Sequence, residues 1–292
     1  MATIKASDVK ALREQSGAGM MDCKNALKET NGDLEAAMKY LREKGIAKAA
    51  KKASRVAAEG LANVKVQGNK AVIYEVNSET DFVAKNDQFK QLIEDLGNEI
   101  LASDATTLEE VTQKVTLNGK DLDTAIAETT VQIGEKITLR RLSVVEKNDS
   151  EVFGAYVHMG GKIAALTLLS GGSDSVAKDV AMHVAAISPR YLKADEISED
   201  VIAAERETLR KEALNEGKPE HIVDKMVEGR LNKYLKEICL VNQAFVKDPD
   251  KSVENFVKEA GAKIVSFERL EVGEGIDKKS EDFADEVKSQ MK

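Results

Sequence analysis

Residues 61–85, LANVKVQGNKAVIYEVNSETDFVAK, decide the fold. Residues 61–67 and 70–76 are β-rich runs, alternating or wholly apolar, and the Gly68-Asn69 pair between them is a turn that joins two antiparallel strands. The period then lengthens: Phe82, Val83, Phe89, Leu92, Ile93, Leu96 and Ile100 are the apolar set of a helix expected from about 80 to 101. Weaker helical stretches follow at about 107–115 and 121–131, and 136–146 reads as a strand. The same order returns from 151 on. Residues 151–158, the Gly160-Gly161 turn and 162–169 make a second hairpin, and 173–187 a second helix. An offset of 93 lays Asp81 over Asp174 and Val83-Ala84-Lys85 over Val176-Ala177-Lys178, while residues 134–138, GEKIT, echo residues 261–265, GAKIV. The chain therefore contains an internal duplication of a hairpin–helix–strand unit, which makes the core α+β with antiparallel sheets.

Working outward, the second copy is split by two charged helical stretches at 196–215 and 220–240. Ile197, Val201 and Ala204, then Val223, Val227, Leu231, Tyr234 and Ile238, recur about every 3.5 residues, and residues 216–219, EGKP, join the two. An antiparallel coiled-coil hairpin inserted in the core is expected, with roughly 30 Å of reach from helices of this length. Its usual purpose is contact with another chain. Towards the N-terminus, residues 5–44 read as three short amphipathic helices broken at Ser16–Gly19 and at Asn31-Gly32, with Asp33 capping the third. The expected inward residues are Val9, Leu12, Met20, Met21, Ala26 and Leu27, then Leu34, Ala37, Met38 and Leu41. The Gly19-Met20 turn and the 31–33 junction resemble the ubiquitin-associated (UBA) module. Residues 46–55, IAKAAKKASR, lack an apolar stripe and read as a helical linker. After Gly273-Glu274-Gly275 a short acidic amphipathic helix carries Phe283, Val287 and Met291 on one side.

The resulting division is a UBA-like bundle at 1–45, a linker at 46–58, one core copy at 59–146, a second at 147–188 and 241–271, the coiled-coil hairpin at 189–240 and a C-terminal helical module at 272–292. The length of 292 residues accommodates these pieces. The net charge of −8 argues against a dedicated binder of nucleic acid, although residues 1–55 carry 12 Lys/Arg against 7 Asp/Glu. No aromatic residues are interleaved with the lysines of the linker to stack on bases. Two cysteines, Cys23 and Cys239, and three histidines supply neither a disulfide framework nor a CxxC zinc site. The start, MATIKASDVKALREQ, lacks the apolar stretch of a signal peptide, and no run is long enough for a membrane span, so a cytoplasmic protein is expected.

Catalytic templates fail in turn. Gly160-Gly161-Lys162 does not make a phosphate loop, because Tyr156 stands where the first Gly is needed and Ile163 follows the Lys. Gly17-Ala18-Gly19 has Asp22 where a dinucleotide fingerprint needs Gly. There is no HExxH and no GxSxG; His183, within AMHVAAI, reads as a packed histidine and Cys23 as a small buried residue. No acid/base or covalent catalysis, no metal and no cofactor are expected. One mismatch between the copies stands out: 78–85, SETDFVAK, faces 171–178, GGSDSVAK, so Phe82 lies opposite Ser175. The shared Asp suits any helix start. The extra phenyl either enters the local core or is presented as an interface anchor.

Residues 12–27, LREQSGAGMMDCKNAL, and 75–86, EVNSETDFVAKN, closely resemble the two signature segments of the bacterial elongation factor Ts family. The layout of bundle, linker, duplicated core, coiled-coil arm and C-terminal helix is similar across essentially the whole chain. The resemblance implies a guanine-nucleotide exchange factor that binds elongation factor Tu, both GDP-bound and nucleotide-free. It implies that Thr80, Asp81, Phe82 and Val83 enter the GTPase and dislodge its Mg²⁺, with Phe82 as the wedge. It also implies partner contacts from Leu12, Met20 and Met21 and from Phe283 and Val287, with self-association through the core or the arm a further expectation. An adaptor for ubiquitin-like or nascent chains would account for the bundle but not for the TDFVAKN segment, and an RNA-binding translation protein would account for the basic linker.

Overall fold

The computed structural model describes residues 4–277. The described residues divide into two compact units: 4–62, 74–143 and 271–277 form the first, and 63–73 with 144–270 the second. The expected C-terminal helix, with Phe283 and Val287, lies outside the described residues.

The first unit begins with three helices, α1 (Ala6–Ser16), α2 (Met20–Glu29) and α3 (Leu34–Lys52). Gly17 ends α1 in the left-handed conformation, and the Asp33 carboxylate accepts from the Ala36 N–H to start α3. Val9, Leu12, Cys23, Ala26, Leu27 and Ala37 fill the small core, with Met38 and Leu41 packed against it. Three expected inward residues face solvent instead: Met20 and Met21 are 56% and 65% exposed, and Leu34 is also exposed. A bundle this small has room for one apolar stripe per helix. The positions nearest the N-terminal ends of α2 and α3 fall outside it. The third helix does not stop at residue 45 but runs through the Ala/Lys-rich segment to Lys52, because these are strong helix formers and nothing there breaks the backbone ladder.

Strands β1 (Glu59–Gln67) and β2 (Lys70–Ser78) form the first hairpin. Then come α4 (Asp81–Ala84), α5 (Asp87–Ala102), α6 (Leu108–Lys114), the two-residue strands β3 (Thr116–Leu117) and β4 (Lys120–Asp121), α7 (Leu122–Ile133) and β5 (Thr138–Glu146). Strand β5 lies beside β2, giving the order β1-β2-β5. The α3 helix packs on α7, with Arg42 donating to Thr124 Oγ1 at 3.4 Å and lying 3.7 Å from the Asp121 carboxylate. Gln132 donates to the Ser16 carbonyl at 3.1 Å, so α7 makes polar contacts with both α1 and α3.

The second unit repeats this order more fully than the sequence suggests. Strands β6 (Glu151–His158) and β7 (Ile163–Ser170) pair antiparallel, with Glu151 opposite Ser170 and His158 opposite Ile163. They are followed by α8 (Asp174–Ile187), the inserted helices α9 (Glu199–Asn215) and α10 (Glu220–Ile238), strands β8 (Ala244–Phe245) and β9 (Asp248–Ser252), α11 (Val253–Glu259) and β10 (Lys263–Glu271). Strand β10 joins β7 as β5 joins β2, so the two sheets share one topology. The short strand pair and the helix after it, β3-β4-α7 and β8-β9-α11, belong to both copies. Three of these four strands have two residues, which leaves no alternation to detect. Gly154 of β6 lets α8 approach closely: a Cβ there would stand 2.0 Å from the Ala177 carbonyl oxygen, to which Thr167 Oγ1 already donates at 2.8 Å.

The inserted helices run antiparallel, as the ion pairs Arg206–Glu228 and Arg210–Asp224 require. Two apolar clusters lie between them: Ala213, Val223 and Val227 with Leu209, and Ile197, Ile238 and Cys239 with Ile202 and Tyr234. Val201 points outward and Ile202 takes its expected place, because α9 begins only at Glu199, after Ser198. Among the described residues no helix is long and apolar enough to cross a membrane.

Each unit buries a titratable side chain with a shifted pKa that fastens separate segments. In the first, Glu75 of β2 is fully buried and accepts from Gly273 N–H at 2.8 Å, Asn77 Nδ2 at 2.9 Å, Arg140 Nη1 at 3.1 Å and Arg141 Nε at 2.6 Å. Burial alone would raise its pKa; the hydrogen bonds from Gly273, Asn77 and Arg141 and the charge of Arg141 outweigh burial and leave the carboxyl below its ordinary value. Glu75 therefore contributes stability that is present above its unfolded pKa and is lost as pH falls through the folded one. Replacing it with Gln removes the charge that Arg140 and Arg141 face, although both keep bonds to 271–274, and should cost about 2 kcal/mol in denaturant unfolding at pH 7, with a smaller difference from the parent near pH 3. An equal difference at both pH values would contradict an ionised Glu75.

In the second unit, His183 of α8 is buried with Nε2 2.9 Å from Gln243 Oε1, and Val246 N–H donates to Nδ1 at 3.2 Å. Because Nδ1 accepts, the ring is neutral with its proton on Nε2. Burial lowers its pKa, and the hydrogen bond to Gln243 offsets only part of that. Here the unfolded chain takes up the proton more readily, so the contribution is whole above about pH 6.5 and is lost as pH drops below it. An H183Q variant should show a shallower loss of stability between pH 7 and 5; a slope identical to the parent's would contradict this.

Candidate functional site

The segment that closes β2 and opens α4 is built from both sides. Along β2, residues 71–78 are buried, and Ser78 Oγ donates to the Thr80 carbonyl at 3.0 Å, which fixes the exit of the strand. Thr80 is extended (φ −125°, ψ 159°), and Asp81 starts a single helical turn that ends at Ala84. The helix expected from about 80 to 101 is thus two helices. The break comes at Asn86, whose backbone is extended and whose Oδ1 accepts from Gln88 N at 2.8 Å and Phe89 N at 3.3 Å, capping a new helix. Lys85 N–H and Asn86 N–H close the short turn by donating to Phe82 O at 3.1 Å and Val83 O at 2.9 Å.

A one-turn helix has an inner and an outer side. Val83 and Ala84 are buried and fasten it, whereas Phe82 is 77% exposed. Of the two readings left open for the phenyl, entry into the local core is therefore excluded. A phenylalanine side chain left in water forgoes roughly 2 kcal/mol of burial. Lys85 crosses the outer side, with Nζ 3.0 Å from Asp81 Oδ2 and 5.8 Å from the centre of the Phe82 ring. An exposed pair of this kind adds little stability, but it places both charges beside the ring.

The turn is held from behind by residues that a linear reading did not single out. The Glu135 carboxylate accepts from Thr80 N–H at 2.9 Å and from Thr80 Oγ1 at 2.6 Å. Glu79 accepts from Lys136 N–H at 2.6 Å and pairs with Arg55 at 3.3 Å, while Lys136 Nζ donates to Ala53 O at 2.7 Å and Arg55 O at 3.0 Å. Three segments distant in sequence, 53–55, 79–80 and 134–136, are thereby joined. Signals were available in the duplication, because Glu79 stands opposite Gly172 and Glu135 opposite Ala262.

The residues expected to act together divide by exposure. Thr80 is half-buried and clamped, Asp81 and Phe82 are exposed, and Val83 is an anchor rather than a presented group. In the bundle, Met20 and Met21 are on the surface, but Leu12 is fully buried against the core of the three helices. Leu12 therefore offers no surface of its own, a correction to its expected partner contact. Chemically, the turn presents an apolar ring flanked by one acid and one base. Among the described residues, no group of three or more His, Cys, Asp or Glu side chains is placed to hold a metal ion.

A family model described as Elongation factor TS matches residues 79–274, about two thirds of the chain. The match opens at Glu79, one residue before the clamped Thr80, and ends at Glu274, whose carboxylate lies 3.2 Å from Arg141. It spans both sheets' closing strands, the inserted helices and the whole of the exposed turn. The chain therefore belongs to the elongation factor TS family.

Proposed function

We propose that this translation elongation factor binds elongation factor Tu in its GDP-bound form and promotes the release of GDP. The turn Thr80–Val83 enters the GTPase and displaces the Mg²⁺ that accompanies its nucleotide. Phe82 is the wedge, Asp81 and Lys85 are its polar flanks, and Val83 is the anchor beneath it. The observation that carries this reading is the exposed phenyl on a backbone clamped at Thr80. Large apolar side chains on rigid elements are the groups that dominate interface energetics.

The energetics follow from linkage. A factor that binds nucleotide-free GTPase more tightly than the GDP complex weakens GDP binding by the same ratio. Loss of the Mg²⁺ charge removes the largest nearby stabilisation of the phosphates, so GDP leaves faster. The factor does not choose GTP over GDP; the excess of GTP and capture of the GTP form by aminoacyl-tRNA give the cycle its direction. No covalent or acid/base step of its own is needed. Met20 and Met21, exposed and flexible, suit an adaptable contact with the GTPase domain, together with Phe283 and Val287. The second core copy meets the β-barrel portion of the partner, and the inserted helices are available for self-association.

Release of labelled GDP from elongation factor Tu tests the wedge. The wild-type chain should accelerate release, and Phe82→Ala should lose roughly 30-fold of that acceleration, the loss expected for one interface anchor. Acceleration undiminished in Phe82→Ala would remove the phenyl from the mechanism.

A further inference from the structure

The duplication supplies an internal control for the exchange turn. Thr80 and Ser173 occupy the same place, each the residue before a helix, with nearly the same backbone: φ −125°, ψ 159° against φ −135°, ψ 161°. Their side chains are used differently. Ser173 caps its helix in the ordinary way, accepting from Val176 N–H at 3.4 Å, and α8 continues to Ile187. Thr80 makes no cap hydrogen bond; its hydroxyl donates to Glu135 at 2.6 Å instead, and α4 lasts a single turn.

The partner positions differ as well. Where the first copy has Glu135, the second has Ala262, and where the first has Glu79, the second has Gly172. In the second copy the chains touch directly. Gly171 and Gly172 are left-handed, and Cβ atoms built on them would stand 2.8 Å from Gly261 O and 2.8 Å from Ala262 Cβ. That copy has no space for a carboxylate clamp and presents Ser175 where the first presents Phe82. The clamp and the exposed phenyl thus occur together in one copy and are absent together from the other.

We propose that Glu135 is a positioning residue for nucleotide exchange. Its carboxylate takes the Thr80 hydroxyl away from helix capping and fixes the Thr80 N–H, so the entry of the turn is held in the outward form that presents Phe82. Glu79, through Lys136 N–H and Arg55, fastens the residue before the turn to the same segment. The inference rests on the reading of Thr80–Val83 as the exchange element.

The test is a titration of GDP release from elongation factor Tu with the full-length chain as wild type, Phe82→Ala, Glu135→Ala, Glu135→Gln and Thr80→Val. Glu135→Ala should lower the release rate at saturation by roughly tenfold, the scale of a lost hydrogen bond to a charged group, with a smaller change in the half-saturating concentration. Glu135→Gln, which keeps an acceptor, should recover part of the rate. Thr80→Val, which deletes only the hydroxyl donor, should move the rate in the same direction even if Glu135→Ala folds poorly. Amide hydrogen exchange at Thr80 should quicken in Glu135→Ala. A saturating rate equal to wild type in both Glu135→Ala and Thr80→Val, with Phe82→Ala still slow, would overturn the positioning role and leave the wedge intact. A lowered melting temperature with an unchanged saturating rate would also overturn it. No acceleration by the wild-type chain would overturn the exchange reading and this inference together.

Discussion

A fully buried carboxylate, that of Glu75, is the constraint on which the first unit depends. It is held ionised by an amide N–H, a side-chain amide and two guanidinium groups, and these come from β2, β5 and the 271–274 turn. A buried charge is costly unless its partners converge on it, so any rearrangement of these segments would leave the carboxylate stranded. The end of β2 is therefore fixed before the chain reaches Ser78, and the fixed strand end is what makes a clamped turn at Thr80 worth having.

The proposed exchange by a wedge calls for this order of construction. A loop carrying the same phenyl would lose part of its binding free energy in becoming ordered on the partner. A phenyl packed in the core would never meet the partner. The first copy resolves the conflict by burying Val83 and Ala84 while turning Phe82 outward on one turn of helix, and by stopping that turn at Asn86. In the second copy the same backbone plan serves packing: α8 runs unbroken over β6, close enough at Gly154 that only a glycine fits. Duplication of one unit has supplied a scaffold twice, with the presented group in one copy alone.

Much of this was legible in the residues. The two hairpins, the closing strands and the inserted helices follow from periodicity and turn chemistry, and the mismatch between SETDFVAK and GGSDSVAK pointed to Phe82. The direction of Phe82 was not legible, because a phenylalanine in a helix's first turn fits a core as well as a surface. The Asn86 break was hidden for a related reason: the apolar period from Phe82 to Ile100 continues across it, and only the cap on Gln88 and Phe89 shows where the helix restarts. Leu12, Met20 and Met21 have the same apolar character in the sequence, and only packing separates the buried leucine from the exposed methionines. Glu135 is 55 residues from Thr80, and their contact depends on β5 returning beside β2.

In the proposed mechanism the turn speeds GDP release by moving the Mg²⁺ of the GTPase. The most direct measurement is the acceleration of GDP release from elongation factor Tu by the wild-type chain, compared at saturating Mg²⁺ and with Mg²⁺ removed by a chelator. If the turn acts on the ion, much of the acceleration should disappear when the ion is already absent. Equal acceleration under both conditions would contradict the account.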